Sequence, residues 1–216
     1  MQPERKASRE LMVEQQLRAR NIDDDRVLAA MSTVRRELFV PEAERSRAYD
    51  DDALPIGAGQ TISQPYMVAL ICSGLRLRGG ELVLDVGTGS GYQAAVLAEL
   101  GAEVHSIERV PELAGSAREA LAAAGYADRV TVHVGDGTRG LPEEAPFAAI
   151  AVAAAAPDVP PLLYDQLVDG GRLVVPVGRR REQRLLAVVR SPEGPEALAG
   201  VACRFVPLLG ADGFRA

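Results

Sequence analysis

The chain has 216 residues, 47% of them hydrophobic and 25% charged, with a net charge of −6 and a pI near 5.1. That length and apolar content suffice for one packed domain without disulfide or metal staples, and they exclude a disordered chain. The acidic balance supplies no basic field for a phosphate backbone, so nucleic acid is not an expected partner.

The first ten residues are polar and charged, and no run approaches the roughly 18 apolar residues of a membrane span. A cytoplasmic location is therefore expected. Cys72 and Cys203 stand in apolar contexts and read as small buried hydrophobes, not as a disulfide pair. Met12, Val13 and Leu17 recur at helical spacing, and Val27, Leu28 and Met31 repeat the pattern after the capping run Asp23, Asp24, Asp25. Residues 54–59 read as a loop. Pro65 suits the first turn of a helix that puts Val68, Ile71 and Leu75 on one face.

From residue 82 the pattern becomes strand–helix alternation. Strands are expected at 82–84, 104–107, 130–134 and 147–152, with helices at 92–100, 111–124 and 160–168. The last helix should end at Gly170 and Gly171. Alternation of this kind implies a parallel sheet covered on both faces. The segments 172–177 and 185–189 are joined by a polar turn too short for a helical crossover, so they should pair antiparallel. A final strand is expected near 203–206. The expectation is one α/β domain with a Rossmann-like, mostly parallel, doubly wound sheet over 81–216 and a helical lobe over 1–80.

Chemistry concentrates first at Asp85, Gly87, Gly89 and Gly91, which follow a strand and open a helix. Glycine lets the backbone turn sharply there and lets a ligand approach closely. A dinucleotide loop, G-x-G-x-x-G, requires glycine at 92, where Tyr92 stands, so a nicotinamide dehydrogenase is disfavoured. Glu108 ends the second strand, placed for a carboxylate to accept both ribose hydroxyls. Asp136, beside Gly137 after the third strand, is a candidate partner for an adenine amino group. Either acid alone fits a solvated strand end equally well. A second unusual stretch surrounds Ser63, at the mouth of the helix begun by Pro65, where free N–H groups favour an anion.

The spacing G-x-G-x-G after an acid resembles the first motif of class I methyltransferases. Q-T-I-S-Q-P-Y at 60–66, V-G-T-G-S-G-Y-Q-A at 86–94, G-D-G at 135–137, A-A-A-P at 154–157, G-R-L-V-V-P-V-G at 171–178 and R-F-V-P-L at 204–208 resemble the protein-L-isoaspartate O-methyltransferase family. The likeness spans nearly the whole chain in order. It implies S-adenosylmethionine as cofactor, S-adenosylhomocysteine as product, and methyl transfer to the free carboxylate of L-isoaspartyl residues in damaged proteins and peptides. By this resemblance Ser63 is the active-site serine. Gln60, Thr61, Ile62, Asp85, Gly87, Thr88, Gly89, Glu108, Arg109, Asp136 and Gly137 map onto the cofactor site. Ser63, Gln64, Pro65, Val206, Pro207 and Leu208 map onto the substrate site.

A carboxyl group with a pKa near 4 is ionised at neutral pH, so its methylation requires no general base. That suits a chain whose histidines, His105 and His133, both fall inside expected strands and are given structural roles; no metal site is expected. Ser63 reads as a hydrogen-bond donor that orients the carboxylate, since no nucleophile elbow surrounds it. Arg35, Ala148 and Ala153 depart from the family pattern and bear on the shape of the substrate pocket. Two other readings keep the cofactor: a relative that methylates an aspartate in one dedicated peptide, and a binding protein that catalyses nothing. The protein is expected to act as a monomer.

Overall fold

The computed structural model describes residues 3–179, 182–198 and 200–215. At the N-terminus, α1 (Pro3–Leu11) runs into a wider π-type turn, Met12–Leu17, that buries Met12, Val13 and Leu17. Helix α2 (Asp25–Thr33) starts where Asp24 accepts the backbone N–H groups of Arg26 and Val27, so the acidic run does cap it. Arg26 then donates to the Leu77 and Leu100 carbonyl oxygens, both at 2.8 Å, which ties α2 to the sheet's own helices and loops. Pro65 opens α3 (Pro65–Leu75) as expected. This helix lies so close to the sheet that a Cβ on Gly74 would come within 2.9 Å of Val174.

Residues 54–59 are not a loop. Leu54–Gly57 and Gln60–Ile62 form a small antiparallel hairpin, β1 and β2. Both residues of its turn, Ala58 and Gly59, have positive φ (49° and 69°), the geometry that matches the twist of paired strands. Alanine occupies a position where asparagine is the usual signal, which hides the turn from a reading of sequence. The hairpin lays Ile56 against the glycine loop, within 3.4 Å of where a Cβ on Gly89 would stand.

The main sheet has the order β10-β8-β7-β6-β3-β4-β5, with β9 also beside β8. Strands β3 (Leu82–Val86), β4 (Glu103–Glu108), β5 (Val130–Val134), β6 (Phe147–Val152) and β7 (Leu167–Arg179) are mutually parallel. β8 (Glu182–Ser191) pairs antiparallel with β7, and β9 (Gly194–Leu198) and β10 (Ala202–Cys203) pair antiparallel with β8. Side chains alternate between two cores. Val83 faces the layer of α4 (Tyr92–Glu99), whereas Leu84 and Val86 face Ile107, Phe147 and Ile150 on the other side. Burial on both faces explains the continuous apolar strands. The chain leaves β3 towards β4 and β5, then returns across it to β6. Open α/β sheets bind ligands at such a switch, outside the carboxyl ends of the strands.

Two expectations about the C-terminal third need correction. The helix expected at 160–168 is the short α6 (Pro161–Tyr164), and Leu167 already belongs to β7. Gln166 ends the helix: its side chain accepts from Leu141 N–H and donates to Arg139 C=O, while its own carbonyl takes the Phe147 N–H. Gly170 and Gly171 therefore form an irregularity within β7. There a Cβ on Gly171 would stand 2.8 Å from the Val168 oxygen. The last strand is also shorter than 203–206. Beyond Cys203 the chain turns along residues 154–156: Ala155 N–H donates to Val206 C=O, and Leu208 N–H donates to Ala155 C=O.

Candidate active site

The loop after β3 is built around glycine. Gly91, the N-cap of α4, has φ +87°, and Leu121 of α5 (Pro111–Ala124) would lie 3.2 Å from a Cβ there. Any side chain would be strained by backbone and neighbour together. Gly87 N–H donates to the Ile107 carbonyl, and Gly89 N–H donates to Glu108 Oε2 at 2.9 Å. Val110 N–H donates to Oε1 of the same carboxylate at 3.0 Å. Glu108 is thus fixed at the end of β4 by the loop it faces.

These elements enclose a slot with about 860 Å³ of empty space, counting its open mouth. Gln60, Thr61, Ile62, Ser63, Gly87, Thr88, Gly89, Glu108, Arg109, Gly137, Val206, Pro207 and Leu208 all line it. Tyr92, Gln93 and Val110, which the sequence reading did not assign, line it too; their only signal was position beside the glycine loop and Glu108. Next to the slot lies a larger, open groove, about 1830 Å³, bordered by Arg20, Gln64, Tyr66, Cys203, Arg204 and Phe205 among others. Five residues border both spaces: Thr61, Ser63, Ala153, Val206 and Pro207. Ser63 therefore stands in a shared wall, and its hydroxyl has no hydrogen-bond partner among the described residues. Gln64 faces only the groove, and Pro65 is buried in α3 and borders neither space.

Two of the three acids stand outside the slot lining. Asp85 is fully buried: its Oδ1 accepts from Gln93 Nε2 and its Oδ2 from Ser106 Oγ, both at 2.7 Å. Ser106 Oγ also meets Thr88 Oγ1 at 2.5 Å, so Asp85 reaches the slot through Thr88. Burial pushes the Asp85 carboxyl up to about 6; the bonds from Ser106 and Gln93 offset part of that, and the Glu108 charge adds to it.

Asp136 ties down the segment that follows Leu208. Its Oδ1 accepts from Thr138 N–H and Oγ1, and its Oδ2 from Ala211 N–H at 2.8 Å, while Asp212 N–H reaches Thr138 Oγ1. Partial burial raises its pKa, but the hydrogen bonds from Thr138 and Ala211 outweigh it and hold the carboxyl below its ordinary range. The segment latched this way carries Leu208 and Leu209 over the slot.

Of the departures from the family pattern, Ala153 matters most for shape, because it borders both spaces. Ala148 faces a separate hollow with Gly171, and Arg35 reaches the Ala123 carbonyl at the end of α5.

The slot offers hydrogen-bond acceptors of the kind a nucleoside's hydroxyl and amino groups require. Glu108 offers an acid at its wall, and Gln93 Oε1 is buried without a partner among the described residues. Gly137 packs directly on Val86 at the slot's lining, where a Cβ would stand 2.7 Å from it.

Comparison with known proteins agrees. A model of the protein-L-isoaspartate(D-aspartate) O-methyltransferase family matches residues 7–213. The protein-L-isoaspartate O-methyltransferase of Methanoculleus marisnigri is 54% identical over 207 residues, covering 96% of this chain and 94% of that protein. Protein-L-isoaspartate O-methyltransferase 2 of Geotalea uraniireducens is 52% identical over 208 residues, covering 96% and 95%. A crystal structure of a Plasmodium falciparum protein in complex with S-adenosyl-L-homocysteine superposes with a TM-score of 0.80 at 29% identity, covering 93% of this chain and 98% of that one. The glycine loop, the Ser63 wall and these full-length likenesses converge: the chain belongs to the protein-L-isoaspartate(D-aspartate) O-methyltransferase family.

Proposed function

We propose that this enzyme uses S-adenosylmethionine to methylate the free carboxylate of L-isoaspartyl residues in damaged proteins and peptides, the first step of their repair. The observation that carries the reading is the position of Ser63, in the wall shared by the slot and the larger groove beside it. A methyl donor in the slot and a peptide in the groove can meet only across such a wall.

The slot is the cofactor's place. Gly87 and Gly89 keep side chains out of its way, Glu108 offers a carboxylate for ribose hydroxyls, and Gln93 Oε1 offers a free acceptor. When bound, S-adenosylmethionine supplies an electrophilic methyl group on a sulfonium sulfur. The chain's own contribution is to bind, orient and dry the reacting groups. Orientation alone is worth about 7–11 kcal/mol when reacting atoms are held in line. No side chain has to remove a proton, because the acceptor carboxylate is already ionised. Ser63 donates its O–H to that carboxylate and fixes which oxygen faces the slot. Val206 and Pro207, anchored through Ala155, frame the peptide backbone beside it.

The groove suits a polypeptide client. It is open, and it mixes Arg20 and Arg204 with Asp51 and Asp52. Arg20 stacks 3.5 Å above the Tyr66 ring and pairs with Asp51 at 2.9 Å, which gives the groove a charged and aromatic wall. We expect the enzyme to act as a monomer. No helix among the described residues is long and apolar enough to cross a membrane. We place the enzyme in the cytoplasm, and the net charge of −6 argues against nucleic acid as a partner.

The test is methyl transfer from labelled S-adenosylmethionine to a matched pair of peptides, one with L-isoaspartate and one with L-aspartate. Label on the isoaspartyl peptide alone is expected. Label on the aspartyl peptide, or on neither, overturns the reading.

A further inference from the structure

The chain's two histidines meet away from both the slot and the groove. His105 lies on β4 and His133 on β5, and the register pairs His133 with Ile107, so all three share a sheet face. That face also carries Phe147, whose ring meets His105 edge-on at 6.4 Å. His133 Nε2 stands 3.2 Å from His105 Nδ1. Glu144, on the turn before β6, brings Oε2 to 3.8 Å from the same His105 nitrogen. The three donor atoms lie within 4.8 Å of one another.

Hydrogen bonding satisfies this arrangement incompletely. A neutral imidazole carries one N–H, and only one proton can sit between the two nitrogens. That bond leaves the carboxylate oxygen beyond hydrogen-bonding distance of His105. Three potential donor atoms from three different elements are thus gathered within reach of a single cation, beside imidazole rings that lie 20° from parallel. Four-coordinate zinc, with bonds of about 2.0–2.2 Å, sets its donors roughly 3.4 Å apart, and the two spacings to His105 fall on either side of that value. Two imidazoles and one carboxylate suit a borderline transition ion and not magnesium or calcium, which prefer all-oxygen shells. Access is open, since the His105 side chain is 12% exposed and that of Glu144 40%.

We propose that His105, His133 and Glu144 form a binding site for a divalent transition-metal ion, with Zn²⁺ the foremost candidate and water filling the fourth position. The bound ion joins β4, β5 and the turn before β6. It sits two residues ahead of Gly135, where the chain turns towards the floor of the slot. The site takes no part in methyl transfer; it clamps the sheet edge from which Asp136 and Gly137 project.

Tag-free protein stripped with a chelator and titrated with zinc chloride in a calorimeter tests the site. Cobalt(II) chloride provides a second readout through its visible absorption. One equivalent of zinc is expected to bind with a micromolar or lower Kd, and zinc should displace cobalt. His133→Asn and Glu144→Ala should each weaken binding at least tenfold. Zinc should raise the melting temperature of the wild type and not that of Glu144→Ala, a substitution on a part-exposed turn that leaves the strands intact. Absence of saturable binding to the wild type, or unchanged affinity in Glu144→Ala, overturns the proposal.

Discussion

Replacing Asp85 with asparagine probes how the glycine loop is held. The carboxyl is sealed from water, and burial lifts its pKa from 3.8 to about 6. A shift of about 2 units corresponds to roughly 3 kcal/mol, at about 1.4 kcal/mol per unit. A carboxyl whose pKa is raised by folding is held protonated more readily in the native state than in the unfolded chain. Its contribution to stability is therefore greatest below the unfolded value, declines as pH rises, and is lost above about 6. Asparagine is nearly isosteric and never ionises. Its Oδ1 can still accept from Gln93, and its Nδ2 can donate to Ser106, whose own proton then turns to Thr88.

Urea unfolding of wild type and Asp85→Asn at matched pH values isolates this term, because every other titration cancels in the difference. From about pH 4 to pH 7 the variant is expected to gain on the wild type by roughly 3 kcal/mol. Affinity for S-adenosylmethionine should move the other way, falling about tenfold, as the charge that polarises the Ser106–Thr88 pair is lost. A stability difference that does not change with pH would refute this account of Asp85.

Two further substitutions separate the roles of the remaining residues. Ser63→Ala should lower kcat by about 10–100-fold, the worth of one hydrogen bond to a charged group, while calorimetric affinity for S-adenosylmethionine stays within about twofold. Full turnover in that variant would remove Ser63 from the site. Asp136→Ala releases Thr138 and Ala211 together, so proteolysis should cut the segment after Leu208 faster and cofactor affinity should fall; unchanged cleavage would show that the latch is not held there.

Much of this architecture was legible in the sequence because local pattern and tertiary role coincide. The helix at Pro111–Ala124 has proline at its first turn and Gly125 just beyond its end, and β3 and β6 are short apolar runs. The misread segments are those where distant contacts decide. Leu163 and Leu167 keep helical spacing, yet Gln166 is clamped by Arg139 and Leu141, and Phe147 draws Leu167 into the sheet. The hairpin at residues 54–62 escaped notice because Ala58 adopts a left-handed conformation without the usual residue for it. Arg36 left no trace in the pattern at all. It is fully buried, with Nε on the Ala48 carbonyl and its guanidinium 4.9 Å from the Tyr92 ring, and burial lowers its pKa to about 10.

The three acids show where spacing stops and geometry takes over. Asp85 lies on β3, Glu108 ends β4 and Asp136 follows β5, so strand topology gives all three the same address. What separates them is the next layer of contacts. Asp85 is walled in by Gln93 and Ser106, so it reaches the slot through two neighbours, Gln93 directly and Thr88 by way of Ser106. Asp136 meets a segment 75 residues further along, and no local motif announces that Ala211 returns to it. Glu108 alone lines the slot, its two oxygens aligned by Gly89 and Val110 yet each retaining a lone pair for a ligand. We therefore assign the ribose contact proposed above to Glu108. On that assignment Asp85 would act through the loop its neighbours hold, and Asp136 through the segment at Ala211 that it ties down.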